Sequence, residues 1–342
     1  MARWRRRLIP TSNASPKSSP VDSSTQASIA SALKNAHSSS TASNFSRIRK
    51  EFVRFCRSKH YAKRDIFPAH EDILCAYALS FAANIAGSTV RVKMSALKKW
   101  HAYNKRPWLG GAKLQSILDY VEKATPASSR LPPRAPVTTS MLQHLFHDLD
   151  LTQPLDAAVF AIALMSFFSQ LRLGEITSSH RSLTHPKASN IPCFEHVTPP
   201  TDRSPPTLFL PQTKTSGHKG DSVILPRQEL PFDAWSAFRN HCRVNEGKAS
   251  IPIASFLDAK RKRVILTTKM FLQRCNAVWA SHGFHRFTGH SFRIGGTTFF
   301  LLSRVDPQVV KAMGRWRSDA FLRYWRSLDA LASIHTEYLR FP

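Results

Sequence analysis

Between Thr125 and Thr138 the sequence TPASSRLPPRAPVT carries four prolines, and neither a helix nor a central strand runs through such a stretch. Each proline removes a backbone donor and biases the preceding residue toward extended conformations. Residues 125–137 therefore read as an extended linker, and the chain on either side has to bury a core of its own. On the N-terminal side, NFSRIRKEFVRFCRSKH sets Phe45, Ile48, Phe52, Val53 and Phe55 at roughly helical spacing, with Arg and Lys between them. EDILCAYALSFAANI, STVRVKMSALKKWHAYN and AKLQSILDYVEKA repeat the pattern. They predict a small helical domain over residues 44–124. Residues 1–43 are rich in Ser, Thr, Ala and Asn, open with RWRRR and lack apolar periodicity. A disordered basic arm is expected there.

Beyond the linker, residues 138–342 make a second domain. The apolar helix LDAAVFAIALMSFFSQ runs into LRLGEI, and TLFLPQTKT and DSVILP read as two strands joined by SGHKG. FDAWSAFRNHC, TKMFLQRCNAVWASH, HSFRIGGTTFFLLSR and PQVVKAMGR are helical, and the short pieces SDAFLRYW and LDALASIHTEYL follow. The fold class is thus mainly α, with a small β-sheet in the second domain.

Charge narrows the function. The chain has 49 Lys and Arg against 22 Asp and Glu, a net charge of +27, which implies a polyanionic partner. No run approaches the roughly 20 apolar residues of a membrane span, and no apolar signal region follows MARWRRRLIP, so no membrane partner is expected. The five cysteines are odd in number and far apart, which supports neither a disulfide framework nor a metal knuckle and fits a reducing compartment. In the N-terminal helices Arg47, Arg49, Lys50, Arg91, Lys93, Lys98 and Lys99 recur with few acids among them and are expected to contact backbone phosphates.

The stretch GHSFRIGG points to chemistry. His290 and Arg293 lie three positions apart on one helical face, inside an apolar run. Two cations side by side repel and are costly to desolvate unless an anion lies between them, and phosphate suits a chain this basic. Arginine offers paired donors matched to phosphate oxygens. Arg172, in SQLRLGE, is a second arginine in apolar surroundings, with Glu175 three positions on to orient a basic group. His282, His285 and His290 invite a zinc reading, but no cysteine or acid stands near them. The acids are scattered rather than clustered, so no metal is expected.

LRLGEI, QTKTSGHKGDSVILP, GHSFRIGG and GRWRSDAFLRYW, in this order and at these separations, resemble the tyrosine recombinases, the phage integrase and Cre class. The HSFRIG box and the GRWRSDAFLRY ending look most like the enzymes of Crypton-type mobile elements of fungi and other eukaryotes. The resemblance covers nearly everything from about residue 44 onward. It implies a helical, SAM-like core-binding domain followed by the catalytic domain. It also implies site-specific DNA cleavage and rejoining through a 3′-phosphotyrosine, with no metal, ATP or other cofactor. Carried onto this sequence, it gives Arg172 and Arg293 as the clamp on the scissile phosphate and His290 as its hydrogen-bonding partner and proton-transfer aid. Lys214 becomes the general acid, with Lys219 as the alternative. Trp316 becomes an indole contact to the phosphate, and Tyr324 the nucleophile, with Tyr338 competing. The step from Trp316 to Tyr324, eight positions, is one shorter than is common in bacterial and phage members. The paired Gly295 and Gly296 are poor helix formers unless they serve a close approach.

The implied partner is double-stranded DNA, held by four protomers that exchange a C-terminal segment. In LDALASIHTEYLRFP, Leu328, Leu331, Ile334, Tyr338 and Leu339 supply the apolar stripe for that docking. RWRRR and the KRKR run at 260–263 suit nuclear import. Two alternatives remain open at this point: a mobile-element descendant that binds DNA without cutting it, and a type IB topoisomerase, which shares the chemistry.

Overall fold

The computed structural model describes residues 21–130, 134–181, 190–213, 216, 219–319 and 321. The chain divides into two units, residues 1–132 and 133–342. Among the described residues no helix is long and apolar enough to cross a membrane.

The N-terminal unit is helical: α1 (Ser23–Asn35), α2 (Ser39–Ser58), α3 (Lys63–Ile66), α4 (Glu71–Leu79), α5 (Gly87–Tyr103) and α6 (Ala112–Lys123). Ile48, Phe52 and Cys56 of α2 recur every four residues and bury one face against α5, whose Val90, Met94 and Leu97 face back. α4 and α6 close the core with Leu74, Ala78, Leu114, Leu118 and Val121. Phe52 and Tyr77 meet edge to face at 5.1 Å, an arrangement that adds about 1 kcal/mol to the burial of the two rings. His101 is fully buried; its Nε2 accepts from the Ala69 amide at 2.9 Å and its Nδ1 donates to the Leu97 carbonyl at 2.8 Å. Burial pushes its pKa down, so the ring is held neutral.

The expected unstructured arm is helical over Ser23–Asn35. Most of α1 is exposed, so burial does not explain it. The Asp22 side chain caps it, accepting from the Thr25 amide at 2.9 Å, and the alanines at 27, 30 and 32 favour helix once it is started. Residues 1–20 lie outside the described residues.

The C-terminal unit is built around α8 (Pro154–Phe168), which follows α7 (Thr139–Asp148). Every residue of α8 from Asp156 to Phe168 is buried. A helix apolar all round has to be enclosed on every side, and α7, β4 (Ser255–Leu257), α10 (Ala234–Val244), α11 (Thr268–Ser281) and α12 (Gly289–Leu302) surround it. α9 (Leu173–Ile176) leaves its C-terminal end, and α13 (Pro307–Met313) packs on α12. The sheet β1 (Val197–Thr198), β2 (Thr207–Leu210) and β3 (Asp221–Ile224) is antiparallel, with Leu208 opposite Val223 and Leu210 opposite Asp221. β2 and β3 are the two strands expected from sequence. β1 is too short to carry a periodic signal. The pair of β4 and β5 (Arg263–Ile265) was also not expected: its turn holds the first three residues of the KRKR run, and Asp258 caps the Lys260 and Lys262 amides at 2.9 and 2.8 Å. The short pieces read after Asp319 lie outside the described residues, apart from Phe321.

Candidate active site

Two close helix approaches set the site. A Cβ on Gly296 would lie 1.9 Å from the Phe167 carbonyl oxygen, and one on Gly295 would lie 2.1 Å from that of Val137. The glycine pair therefore lets the backbone of α12 touch the end of α8 and the strand-like entry at Val137, whose amide donates to the Ser291 carbonyl at 3.0 Å. Phe292 packs beside Phe271 and Trp279, at 5.2 and 5.7 Å between ring centroids, and fixes the rotation of α12. That rotation turns Arg293 inward.

Arg293 is fully buried, with 0% exposure. Its Nη1 donates to the Gln170 carbonyl and its Nη2 to the Gly314 carbonyl, and its guanidinium lies 3.9 Å from the ring centre of Trp316. Both Nη groups of the arginine expected to clamp the phosphate are thus engaged by backbone oxygens. The carbonyl of Gln170 is presented by a left-handed residue (φ 49°) just after α8 ends, and the Gln170 side chain accepts from Thr297 of α12 at 2.8 Å. This turn aims Arg172, two residues on.

Arg172 begins α9. Its Nη1 donates to Glu175 Oε1 at 2.8 Å and its amide to Glu175 Oε2 at 3.0 Å. A second guanidinium, Arg315, donates through Nη2 to Glu175 Oε2 at 2.8 Å, with its Nη1 3.9 Å from Asp221 at the start of β3. Glu175 is buried. Burial alone would raise its pKa, but the charge and hydrogen bond of Arg315, with those of Arg172, hold it below the usual carboxylate value. Arg172 retains a quarter of its side-chain exposure. His290 is half-buried in the first turn of α12, beside Gly289, whose missing Cβ would lie 2.8 Å from Leu173 Cδ1.

The structure thus gathers Arg172, Glu175, Arg293 and Trp316 in one linked cluster, with His290 at the neighbouring end of α12. Arg315 was missed in the sequence, although GRW in the terminal motif contains it. Lys214 and Tyr324 lie outside the described residues. Lys219, the alternative acid, is exposed after the β2 strand and donates its amide to Ser216. His282 pairs with Asp148 at 2.8 Å and stacks on His144.

In the N-terminal unit, one expected phosphate contact is corrected. Lys93 falls between Val90, Met94 and Leu97 on the inward stripe of α5, is 6% exposed, and donates to Glu51 at 2.5 Å over the Phe81 ring. Arg91 is engaged by Asp119 and Glu122 of α6 at 2.6 and 2.5 Å. Arg49, Lys50 and Lys98 are exposed, and Lys99 lies 5.3 Å from the Phe45 ring centre. Arg47, Lys50, Arg54 and Arg57, all exposed, line one stripe of α2 opposite its buried face.

No family model matches the sequence, and no curated protein matches it. Solved structures do. A lambda integrase (residues 75–356) dimer bound to a COC′ core site is similar over 88% of this chain and 94% of its own, at 11% identity and a TM-score of 0.53. The XerH site-specific recombinase bound to a palindromic difH substrate, in a post-cleavage complex, is similar over 78% of this chain and 72% of its own, at 15% identity and a TM-score of 0.51. The architecture, mostly helical with small antiparallel sheets, is the tyrosine recombinase fold.

Proposed function

We propose that the chain is a site-specific DNA recombinase that cuts and rejoins duplex DNA through a 3′-phosphotyrosine. The observation that carries the reading is the joining of Arg172, Arg293 and Arg315 through Glu175, Gln170 and the turn at Gly314 into a single positive cluster. A pentavalent phosphorane carries more charge on its oxygens than the diester, and preorganised cations stabilise that difference. Arg172 takes the phosphate oxygens. Arg293 supplies buried charge beneath them, with Trp316 stacked on it and His290 assisting proton transfer. The Tyr324 oxygen forms the new bond to phosphorus, the bond to the 5′ oxygen breaks, and Lys214 gives that oxygen its proton. A phenol with an ordinary pKa of about 10 is a weak nucleophile at neutral pH, and a cationic pocket favours its phenolate. The phosphodiester is conserved on tyrosine, so resealing by a 5′ hydroxyl needs no external energy source.

The net charge of +27 and the α2 stripe support duplex DNA as the partner. The HSFRIG box and the GRWRSDAFLRY ending support a Crypton-type mobile-element origin, and the RWRRR and KRKR runs a nuclear location. A tetramer on two sites, joined by the segment after Ser327, completes the proposal.

The test is a duplex nicked near the cleavage site, taken from DNA flanking the encoding gene. The wild-type chain is expected to form a covalent adduct stable to denaturation, and Tyr324→Phe to form none. A chain that only binds shifts the duplex and leaves no adduct, which would overturn the enzymatic reading.

A further inference from the structure

Arg315 sits in the turn after α13 in a left-handed conformation (φ 55°) and its side chain is 9% exposed. Its Nε and Nη1 have no hydrogen-bond partner among the described residues. Idle buried donors and a left-handed arginine both cost stability. The residue is therefore poorly explained as a structural filler.

Its contacts point elsewhere. Glu175 faces two charged groups, Arg172 on its own turn and Arg315 from the turn after α13. Arg315 in turn faces a second carboxylate, Asp221, which opens β3 of the hairpin whose connecting sequence contains Lys214. The residues flanking Arg315 engage the other arginine: Gly314 offers its carbonyl to Arg293 and Trp316 its ring. A Cβ at Gly314 would lie 2.2 Å from Trp316 Nε1, so the turn closes this tightly only with glycine.

Resting on the reading of Arg172 as the phosphate clamp, we infer that Arg315 is a positioning residue: it keeps the buried Glu175 charged and in place, and Glu175 fixes the guanidinium of Arg172. The turn Gly314–Trp316 is then a clasp that holds both arginines of the cage from one short segment. Without Arg315, a carboxylate this buried protonates more readily, and a neutral Glu175 no longer anchors Arg172.

The experiment compares the full-length wild type with Arg315→Met, Arg315→Lys, Glu175→Gln and the Arg315→Met/Glu175→Gln pair. Adduct formation on the nicked duplex is read from pH 5 to pH 9, and the thermal midpoint from pH 3 to pH 9, so that it reaches below the lowered pKa of Glu175. Arg315→Met is expected to slow adduct formation on the order of 100-fold at neutral pH, the scale set by misplacing a reacting group. Non-covalent affinity for the duplex stays within a few-fold. Arg315→Lys, which keeps the charge and loses the fork, recovers part of the rate. The acid limb of the Arg315→Met profile begins at higher pH than that of the wild type. In the Glu175→Gln background, Arg315→Met adds almost nothing, because the carboxylate it acts through is gone.

A loss of equal size in both backgrounds and at every pH would overturn the inference and leave Arg315 structural. If the wild type forms no adduct, the recombinase reading falls and the thermal arm decides alone. The midpoint gap between wild type and Arg315→Met must then be widest at neutral pH, close in acid where Glu175 protonates in both, and vanish with Glu175→Gln. Additive losses there would overturn the inference too.

Discussion

On α2 of the N-terminal unit, Arg47, Lys50, Arg54 and Arg57 lie on the solvent side of a helix whose other face fills the core, whereas in the C-terminal unit Arg293 is fully buried and Arg315 nearly so. Where the N-terminal unit does take a cation inside, as with Lys93, an acid from the neighbouring helix meets it directly. In the cluster of the C-terminal unit Arg172 and Arg315 share one carboxylate, Glu175, while Arg293 leans on backbone carbonyls and an indole face. Exposed charge spread along a helix attracts a polyanion at many registers. Charge gathered in a buried cluster acts at one point, and it persists only because the surrounding packing over-determines it.

That packing can be broken at its tightest point. Gly296→Ala places a methyl carbon 1.9 Å from the Phe167 carbonyl oxygen, a backbone atom that moves only if α8 or α12 moves. A loss of about 3 kcal/mol or more is expected in a chemical unfolding midpoint, with loss of adduct formation. Gly174→Ala is the control: a Cβ there meets nothing within 4 Å, and its effect should stay within about 0.5 kcal/mol. Equal effects at the two glycines would mean that the close approach of α12 does not hold the cage.

Both units also bury a neutral histidine, His101 in the N-terminal unit and His241 in the C-terminal unit. His241 donates through Nε2 to the Ile253 carbonyl at 2.8 Å and accepts through Nδ1 from Asn245 at 2.9 Å. Burial, aided by the charge of Arg263, pushes its pKa down to about 4. The unfolded chain takes up the proton near pH 6.5 and the folded chain resists it. The stability this histidine contributes is therefore complete above about pH 6.5 and falls as the pH drops toward 4. The loss is about 3 kcal/mol from this residue. Urea midpoints at pH 7, 5.5 and 4 check it: His241→Gln should flatten the dependence, and an unchanged slope would assign the acid sensitivity elsewhere.

The fold's larger outlines were legible because they rest on local signals: the all-apolar run of α8 and the β2–β3 alternation. The residue identities of the cage were legible as motifs, and the use of Gly295 and Gly296 for close approach was one of the two meanings their composition allows. What escaped depends on contacts across the chain. Arg315 stands in plain view beside Trp316, yet only folding brings it 140 positions back to Glu175. The backbone oxygens that engage Arg293 likewise come from the turns at Gln170 and Gly314, which no pattern within GHSFRIGG encodes. Lys93 is different, since its place between Val90, Met94 and Leu97 at helical spacing already puts it on the inward face. Counting positive residues hid what their spacing displayed.

Lys93 and Arg54 therefore offer the finest test of the contrast between buried and spread charge. If α2 presents its stripe to duplex DNA, Arg54→Ala removes one phosphate contact. The slope of log affinity against log salt should then fall in magnitude by about 0.9, with a modest loss of affinity at any one salt concentration. Lys93→Met removes the same formal charge, but from a site where Glu51 already neutralises it. Its slope should match the wild type, whatever it does to stability. A filter-binding series across several salt concentrations on a non-cognate duplex measures both. Should Lys93→Met lower the slope as much as Arg54→Ala, the ammonium must leave Glu51 to reach the phosphates, and the N-terminal unit would be rearranging its core on DNA rather than presenting a finished surface to it.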